Sequence, residues 1–178
     1  MSAESTAEAV GLETDAAIGV FVTEHYDRLL RLARLICRDS SDAADAVQIG
    51  LEQAWRSRSA LRDADRVRPW LDRIVAREAV RVSKRRRSWL NRLFTPQANV
   101  MWIEPADSRV SEPSTFVALQ AAFSTLSPEQ RAVVALHMHR GYSISETAVI
   151  VGAPEETVRS RLRLAKQRLR RELEETPR

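Results

Sequence analysis

The 178-residue chain has room for one medium domain or two small ones, and its 44% apolar and 29% charged content is that of a folded protein. Its formal net charge of +4 understates how unevenly charge is placed: Glu4, Glu8, Glu13 and Asp15 precede any base, whereas residues 81–92 hold six bases and no acid, an asymmetry that points to a polyanionic partner. No charged-then-apolar signal segment opens the chain, no apolar run approaches a membrane span, and the single Cys37 rules out an internal disulfide, so a cytoplasmic protein without membrane insertion is expected.

Residues 1–16 are small, polar and acidic and read as a flexible N-terminus. From Ala17 to Cys37 the apolar positions Phe21, Leu29, Leu32, Ala33 and Ile36 recur at steps of three and four, with Arg28, Arg31 and Arg34 on the other side. Asp39-Ser40-Ser41-Asp42 breaks the pattern and offers an N-cap to a second helix over residues 43–58, packed through Ala44, Val47, Leu51, Ala54 and Trp55. Pro69 suits the first turn of a third helix running to about Arg87, with Trp70, Leu71, Ile74 and Val75 inward. It ends in Lys84-Arg85-Arg86-Arg87. Cations complement the negative end of a helix dipole, yet four in a row exceed what capping requires. His25 beside Glu24 reads as an ordinary surface pair.

Residues 88–113 show no sustained period and contain Pro96, Pro105 and Pro113, so a linker joins two small helical domains, 17–87 and 114–174. Trp89, Phe94, Met101, Trp102 and Ile103 give that linker an apolar content suited to packing on something. The second domain opens with a helix over 114–125 that turns Phe116, Leu119, Ala122 and Phe123 inward. Ser127-Pro128-Glu129-Gln130 then combines an N-cap serine, a first-turn proline and a glutamine that reaches back. That helix runs to Arg140, where Gly141 fits the C-cap, and Ser143-Ile144-Ser145-Glu146 is a second capping box opening a helix over 144–151.

Gly152 makes a short turn, and a long helix follows from Pro154 to Glu174. Val158, Leu162, Ala165 and Leu169 form its apolar stripe, and Arg159, Arg163, Lys166 and Arg170 a parallel basic one. Short helix, glycine turn and longer helix make a helix-turn-helix whose basic stripe suits the groove of a duplex. The fold class is therefore all-α. No phosphate-cradling glycine loop, nucleophile elbow or carboxylate cluster appears, and His137 and His139, two residues apart on a helix, diverge. Neither catalytic residues, a metal site nor a cofactor is expected.

Two separated stretches resemble the extracytoplasmic-function sigma factors, the two-domain, group 4 subunits of bacterial RNA polymerase. One is Asp42-Ala43-Ala44-Asp45-Ala46-Val47-Gln48, continued to Ala54-Trp55. The other runs from Leu126-Ser127-Pro128-Glu129-Gln130-Arg131 through Gly141-Tyr142-Ser143, Glu146-Thr147-Ala148 and Gly152 to Thr157-Val158-Arg159-Ser160-Arg161-Leu162. The resemblance implies that Asp45, Val47, Gln48 and Leu51 dock on core RNA polymerase, with Trp55 chiefly a core residue. It implies that Arg73, Arg77, Arg81, Lys84, Arg85 and Arg86 of the third helix meet the minus-10 element of promoter DNA. Thr157, Arg159, Ser160, Arg161, Arg163 and Lys166 would meet the minus-35 element, and an anti-sigma factor is expected as a further partner. Ile49, Arg77, Arg81 and Glu156 depart from the family's usual residues. A free-standing helix-turn-helix regulator would explain the second half equally well but not the first.

Overall fold

The computed structural model describes residues 15–58, 66–93, 119 and 121–175, and these are helical apart from short turns, with no strand among them. Six helices carry the fold: α1 (Asp15–Ile36), α2 (Ser40–Arg56), α3 (Val67–Leu93), α4 (Pro128–Val134, continued by a π-helical turn Ala135–His139), α5 (Ile144–Val151) and α6 (Glu155–Glu175). The expected N-terminal segment up to residue 14, the linker from residue 94 onward and Phe116 lie outside the described residues.

In the first unit α1, α2 and α3 close on Leu29, Leu32, Ile36, Val47, Leu71 and Val75, all fully buried, as the periodicity predicts. Asp39 caps α2 by accepting from the backbone N–H groups of Ser41 (2.9 Å) and Asp42 (3.1 Å). Gly50 lets α2 press against α3, since a Cβ there would lie 2.8 Å from Val75 Cγ2. Trp70 is half-buried against this core, as expected.

Four expectations are corrected. The third helix does not stop near Arg87 but continues to Leu93, because nothing before Pro96 breaks it and a basic run alone does not unwind a helix. Trp55 is 37% exposed rather than a core residue, with the Arg58 guanidinium 4.0 Å above its ring. Leu119, expected inward, is 46% exposed. His25 is buried rather than a surface residue.

Burial, with Arg28 nearby, pulls the His25 imidazole below its ordinary value of 6.5. Partial desolvation beside Arg140 shifts the exposed His139 the same way. A base whose folded value is depressed binds fewer protons than the unfolded chain, so this stability is complete above pH 6.5 and is lost as pH falls through the folded value. Chemical denaturation between pH 7 and pH 5 should show falling stability, and His25→Gln should flatten that slope. An identical slope in the variant would contradict the assignment.

In the second unit both predicted capping boxes form. Ser127 Oγ accepts from Gln130 N at 3.2 Å while Gln130 Oε1 accepts from Ser127 N at 2.9 Å. Ser143 and Glu146 repeat the exchange at 3.2 and 2.8 Å. Gly141 and Gly152 take φ of +78° and +68°, the left-handed conformation that ends a helix most cheaply with glycine. The π-turn was not legible in the sequence: Arg140 N reaches back five residues to Ala135 O at 3.0 Å. Pro154 precedes α6, and its carbonyl accepts the first bond, from Val158 N at 3.1 Å.

Thr147 is fully buried, and its Oγ1 has no hydrogen-bond partner among the described residues. Thr147→Val, which keeps the shape and removes the unpaired hydroxyl, should stabilise by about 1 kcal/mol and raise the melting temperature by about 2–4 °C. A lowered melting temperature would show that the hydroxyl has a partner.

The two units share one hydrophobic cluster. Ala132, Ala135, Leu136 and Ile150 join Leu29, Leu32, Leu71 and Val75 in it, while Val133, Val158, Leu162 and Ala165 form a second cluster within the helix-turn-helix.

Candidate nucleic-acid interface

The α5–α6 turn presents α6 with its apolar stripe down. Val158 and Ala165 are fully buried and Leu162 nearly so, which turns Arg159, Ser160, Arg163 and Lys166 to solvent. Arg159, Arg163, Lys166 and Arg170 line one open groove of about 390 Å³, closed on its other side by His137 and Ile144. This is the basic row expected from the sequence, now with a concave wall. Thr157 is half-buried. Arg161 is not brought into this row. It faces a second groove of about 300 Å³ between the units, beside Ala76, Val80 and Arg81 of α3.

Arg159 is held by two carboxylates on its own helix. Nη1 donates to Glu156 Oε1 at 2.6 Å and Nη2 to Glu155 Oε2 at 3.0 Å. The hydrogen bond to Glu156 raises the guanidinium above its ordinary value, so it stays charged throughout the accessible pH range. Glu155 and Glu156 also complement the positive end of the helix dipole. Both pairs are solvent-exposed, so they orient the guanidinium only weakly and offset part of the local positive charge. The sequence placed these acids next to the basic row but did not reveal this use of Glu156.

The six basic residues expected to meet DNA on α3 divide sharply. Arg73 and Arg85 are exposed and have no ion-pair partner among the described residues. Arg81 pairs with Glu78 one turn earlier, a contact legible from spacing. Arg86 is committed within its own unit, to Asp39 Oδ2 at 3.0 Å and Asp42 Oδ1 at 3.1 Å, which ties the end of α3 to the start of α2. Arg77 and Lys84 reach across to the second unit. Arg77 donates from Nε to Ile150 O at 2.8 Å and from Nη2 to Val149 O at 3.0 Å, and Lys84 pairs with Glu129.

On α2, Asp45, Gln48, Glu52 and Trp55 are exposed at steps of three and four and form one outward stripe, with Leu51 half-buried at its edge. Gln48 Nε2 donates to Glu52 Oε1 at 3.4 Å. Val47, expected to make an external contact, is fully buried and supports the stripe from below. The sequence did not single out Glu52 or the outward turn of Trp55; a large exposed aromatic on a polar stripe is a common anchor for a protein partner.

Among the described residues, no three His, Cys, Asp or Glu side chains are placed to hold a metal ion. Burial pushes the Cys37 thiol up to about 11, and its Sγ donates to Ala79 O at 3.5 Å, the setting of an inert core thiol. His137 is engaged through Nδ1 with the Tyr142 carbonyl at 2.6 Å.

Comparison with known proteins bears on both units. Residues 21–90 match the family described as Sigma-70 region 2, and residues 116–169 match Sigma-70, region 4. The chain is 37% identical over 147 residues to the ECF RNA polymerase sigma factor SigM of Mycobacterium tuberculosis, a match covering 83% of this chain and 72% of SigM. It is 30% identical over 153 residues to SigL of the same species, covering 85% of this chain and 86% of SigL. Two solved structures share the fold. One is the sigma factor RpoE in complex with the anti-sigma factor NepR from Bartonella quintana, with a TM-score of 0.68 and 24% identity over 88% of this chain and 98% of that one. The other is CnrH in complex with the cytosolic domain of CnrY, with a TM-score of 0.61 and 23% identity over 97% of this chain and 96% of that one.

Proposed function

The chain belongs to the extracytoplasmic-function sigma factors of RNA polymerase, and from that premise we propose how its surfaces divide the work of promoter recognition. As a sigma factor it is a transcription initiation factor that recognises promoters for the polymerase, and we assign no catalytic step to it. The finer placement is in group 4, the two-domain class, in keeping with the two units seen here.

In this reading the row Arg159, Arg163, Lys166 and Arg170 meets the minus-35 element. Arg159 reads base edges from the N-terminal end of the helix, and the others neutralise phosphate. Thr157 and Ser160 flank the same end, and Arg161 joins them once the groove against α3 is vacated. On α3, Arg73 and Arg85 are ready to meet the minus-10 element, whereas Arg77, Arg81, Lys84 and Arg86 must first leave their present partners. The α2 stripe of Asp45, Gln48, Glu52 and Trp55 docks on core polymerase, with Leu51 at its margin. The single observation that carries the reading is the exposed basic row on a glycine-presented helix, in a chain that matches both sigma regions in order.

An anti-sigma factor is proposed as a regulatory partner, supported by the structural neighbour RpoE, solved in complex with the anti-sigma factor NepR, and by CnrH, solved in complex with the cytosolic domain of CnrY. Among the described residues no helix is long and apolar enough to cross a membrane, and the proposed site of action is the cytoplasm.

Co-elution with core polymerase on gel filtration tests the docking surface. The wild-type chain should co-elute and Trp55→Ala should weaken the association, whereas a chain that binds duplex DNA specifically but never binds core polymerase would be a free-standing regulator. Glu156→Gln tests the clamp on Arg159. By freeing that guanidinium for phosphate it should raise affinity for unrelated duplex several-fold and steepen the dependence of log K on log salt by about 0.9. An unchanged slope would show that Glu156 does not restrain Arg159.

A further inference from the structure

We propose that the groove between α3 and the helix-turn-helix unit is a binding site for a small phosphate ester with an apolar body, of the size and chemistry of a nucleoside monophosphate. Its test uses neither polymerase nor DNA, so this site stands or falls apart from the promoter contacts assigned above.

The groove holds about 300 Å³, the low end of the range of about 300–1,000 Å³ that small-molecule sites span, so one such molecule fills it. Its lining divides into an apolar part and a cationic part. Residues 76, 77, 80, 81 and 84 recur along α3 at steps of three and four, so a single helix face brings both kinds of side chain to the groove. Ala76 and Val80 line it together with Ala132 of α4 and Val151 of α5, and the two alanines stop at Cβ, which leaves an apolar surface with no long side chain to obstruct a ring. Around that surface stand Arg77, Arg81 and Lys84 of α3 and Arg161 of α6, against the carboxylate of Glu129. Four cations to one anion in a concavity focus a positive potential on whatever enters. An apolar ligand alone would leave that charge unused, and an inorganic anion alone would leave the apolar surface wet.

The four cations are not equally committed. Arg161 is half-buried, turned away from the basic row of α6, and has no hydrogen bond or ion pair among the described residues. Its guanidinium fork matches two oxygens of a phosphate. Lys84 pairs with Glu129 at 2.5 Å and Arg81 pairs with Glu78, but both cations are about half-exposed, so water screens these pairs and a dianionic phosphate can share either cation at little cost. Arg77 is fixed by Nε and Nη2 on the carbonyls of Ile150 and Val149, at 2.8 and 3.0 Å, and contributes its field rather than a movable contact. Gly152 leaves room for it, since a Cβ there would lie 2.8 Å from Arg77 Nη2. The phosphate is therefore assigned to Arg161 with Lys84 or Arg81, and the body to the alanine-lined surface.

Isothermal titration calorimetry of the full chain with adenosine monophosphate, inorganic phosphate and adenosine tests the assignment. Adenosine monophosphate should bind with one molecule per chain and at least about tenfold more tightly than either fragment, because only it uses both parts of the groove. Arg161→Gln should weaken that binding by about ten- to a hundred-fold, the loss of a hydrogen-bonded charge pair. Val80→Phe fills the groove without changing charge and should abolish binding in a chain whose helices circular dichroism shows to be intact. Arg171→Gln removes the same charge from an exposed position further along α6, about 15 Å from Arg161 by helix rise, and should leave the affinity unchanged. No binding of adenosine monophosphate by the wild-type chain would overturn the site, as would full affinity in an intact Val80→Phe chain. A loss in Arg171→Gln as large as in Arg161→Gln would also overturn it, by marking diffuse attraction to a basic surface, and this pair decides the matter even where Val80→Phe does not fold. Inorganic phosphate or adenosine binding as tightly as the nucleotide would overturn the ligand class.

Discussion

Arg159→Ala is expected to erase most discrimination at one base pair of the minus-35 element, a roughly ten- to hundred-fold loss of preference between the matched promoter and one altered at that pair. Affinity for unrelated duplex should fall less than affinity for the matched promoter, by the loss of one cation that leaves Glu155 and Glu156 unpaired. Arg163→Ala should do the reverse, lowering affinity for every sequence and flattening the salt dependence, since Arg163 is exposed on the same groove with no carboxylate partner among the described residues. Binding of holoenzyme to paired promoter sequences at two salt concentrations measures both. Equal losses on all sequences for Arg159→Ala would remove it from the base-reading role.

Leu71→Ala should cost about 2–5 kcal/mol of stability. Leu71 is fully buried where α3 meets α1, among Leu29, Leu32 and Val75, and truncation leaves a cavity that rigid helices cannot fill. Leu164 and Leu173 on α6, 48% and 41% exposed, provide the contrast: alanine at either should stay within about 0.5 kcal/mol of the parent. Urea denaturation distinguishes the two classes, and a mild effect at Leu71 would mean that the first unit is packed differently.

Local chemistry made much of this chain legible. The serines at 127 and 143, with Gln130 and Glu146 three residues on, fix two helix starts through bonds within one turn, and Gly141 and Gly152 fix two ends. The apolar stripe of α6 also dictated which four basic residues share a groove. What the sequence could not reveal depends on partners far along the chain. Asp72 meets Tyr142 seventy positions away, Arg131 meets the Ile36 carbonyl ninety-five away, and Arg86 meets Asp42 forty-four away. None of these leaves a local pattern, so Arg77, Lys84 and Arg86 read as free cations although each is engaged. Trp55 was misjudged for a related reason: helical spacing put it beside Ala54 at the margin of the apolar stripe, and only the packing of α2 on α3 decides that Ala54 goes in and Trp55 stays out.

Run-off transcription with purified core polymerase on a pool of genomic promoter fragments tests the central claim most directly. Adding this chain should yield discrete transcripts from a small set of fragments sharing a minus-35 and a minus-10 sequence, and Arg159→Ala should lose this selection. Transcripts no different from those of core polymerase alone, with the chain folded and present in excess, would contradict it.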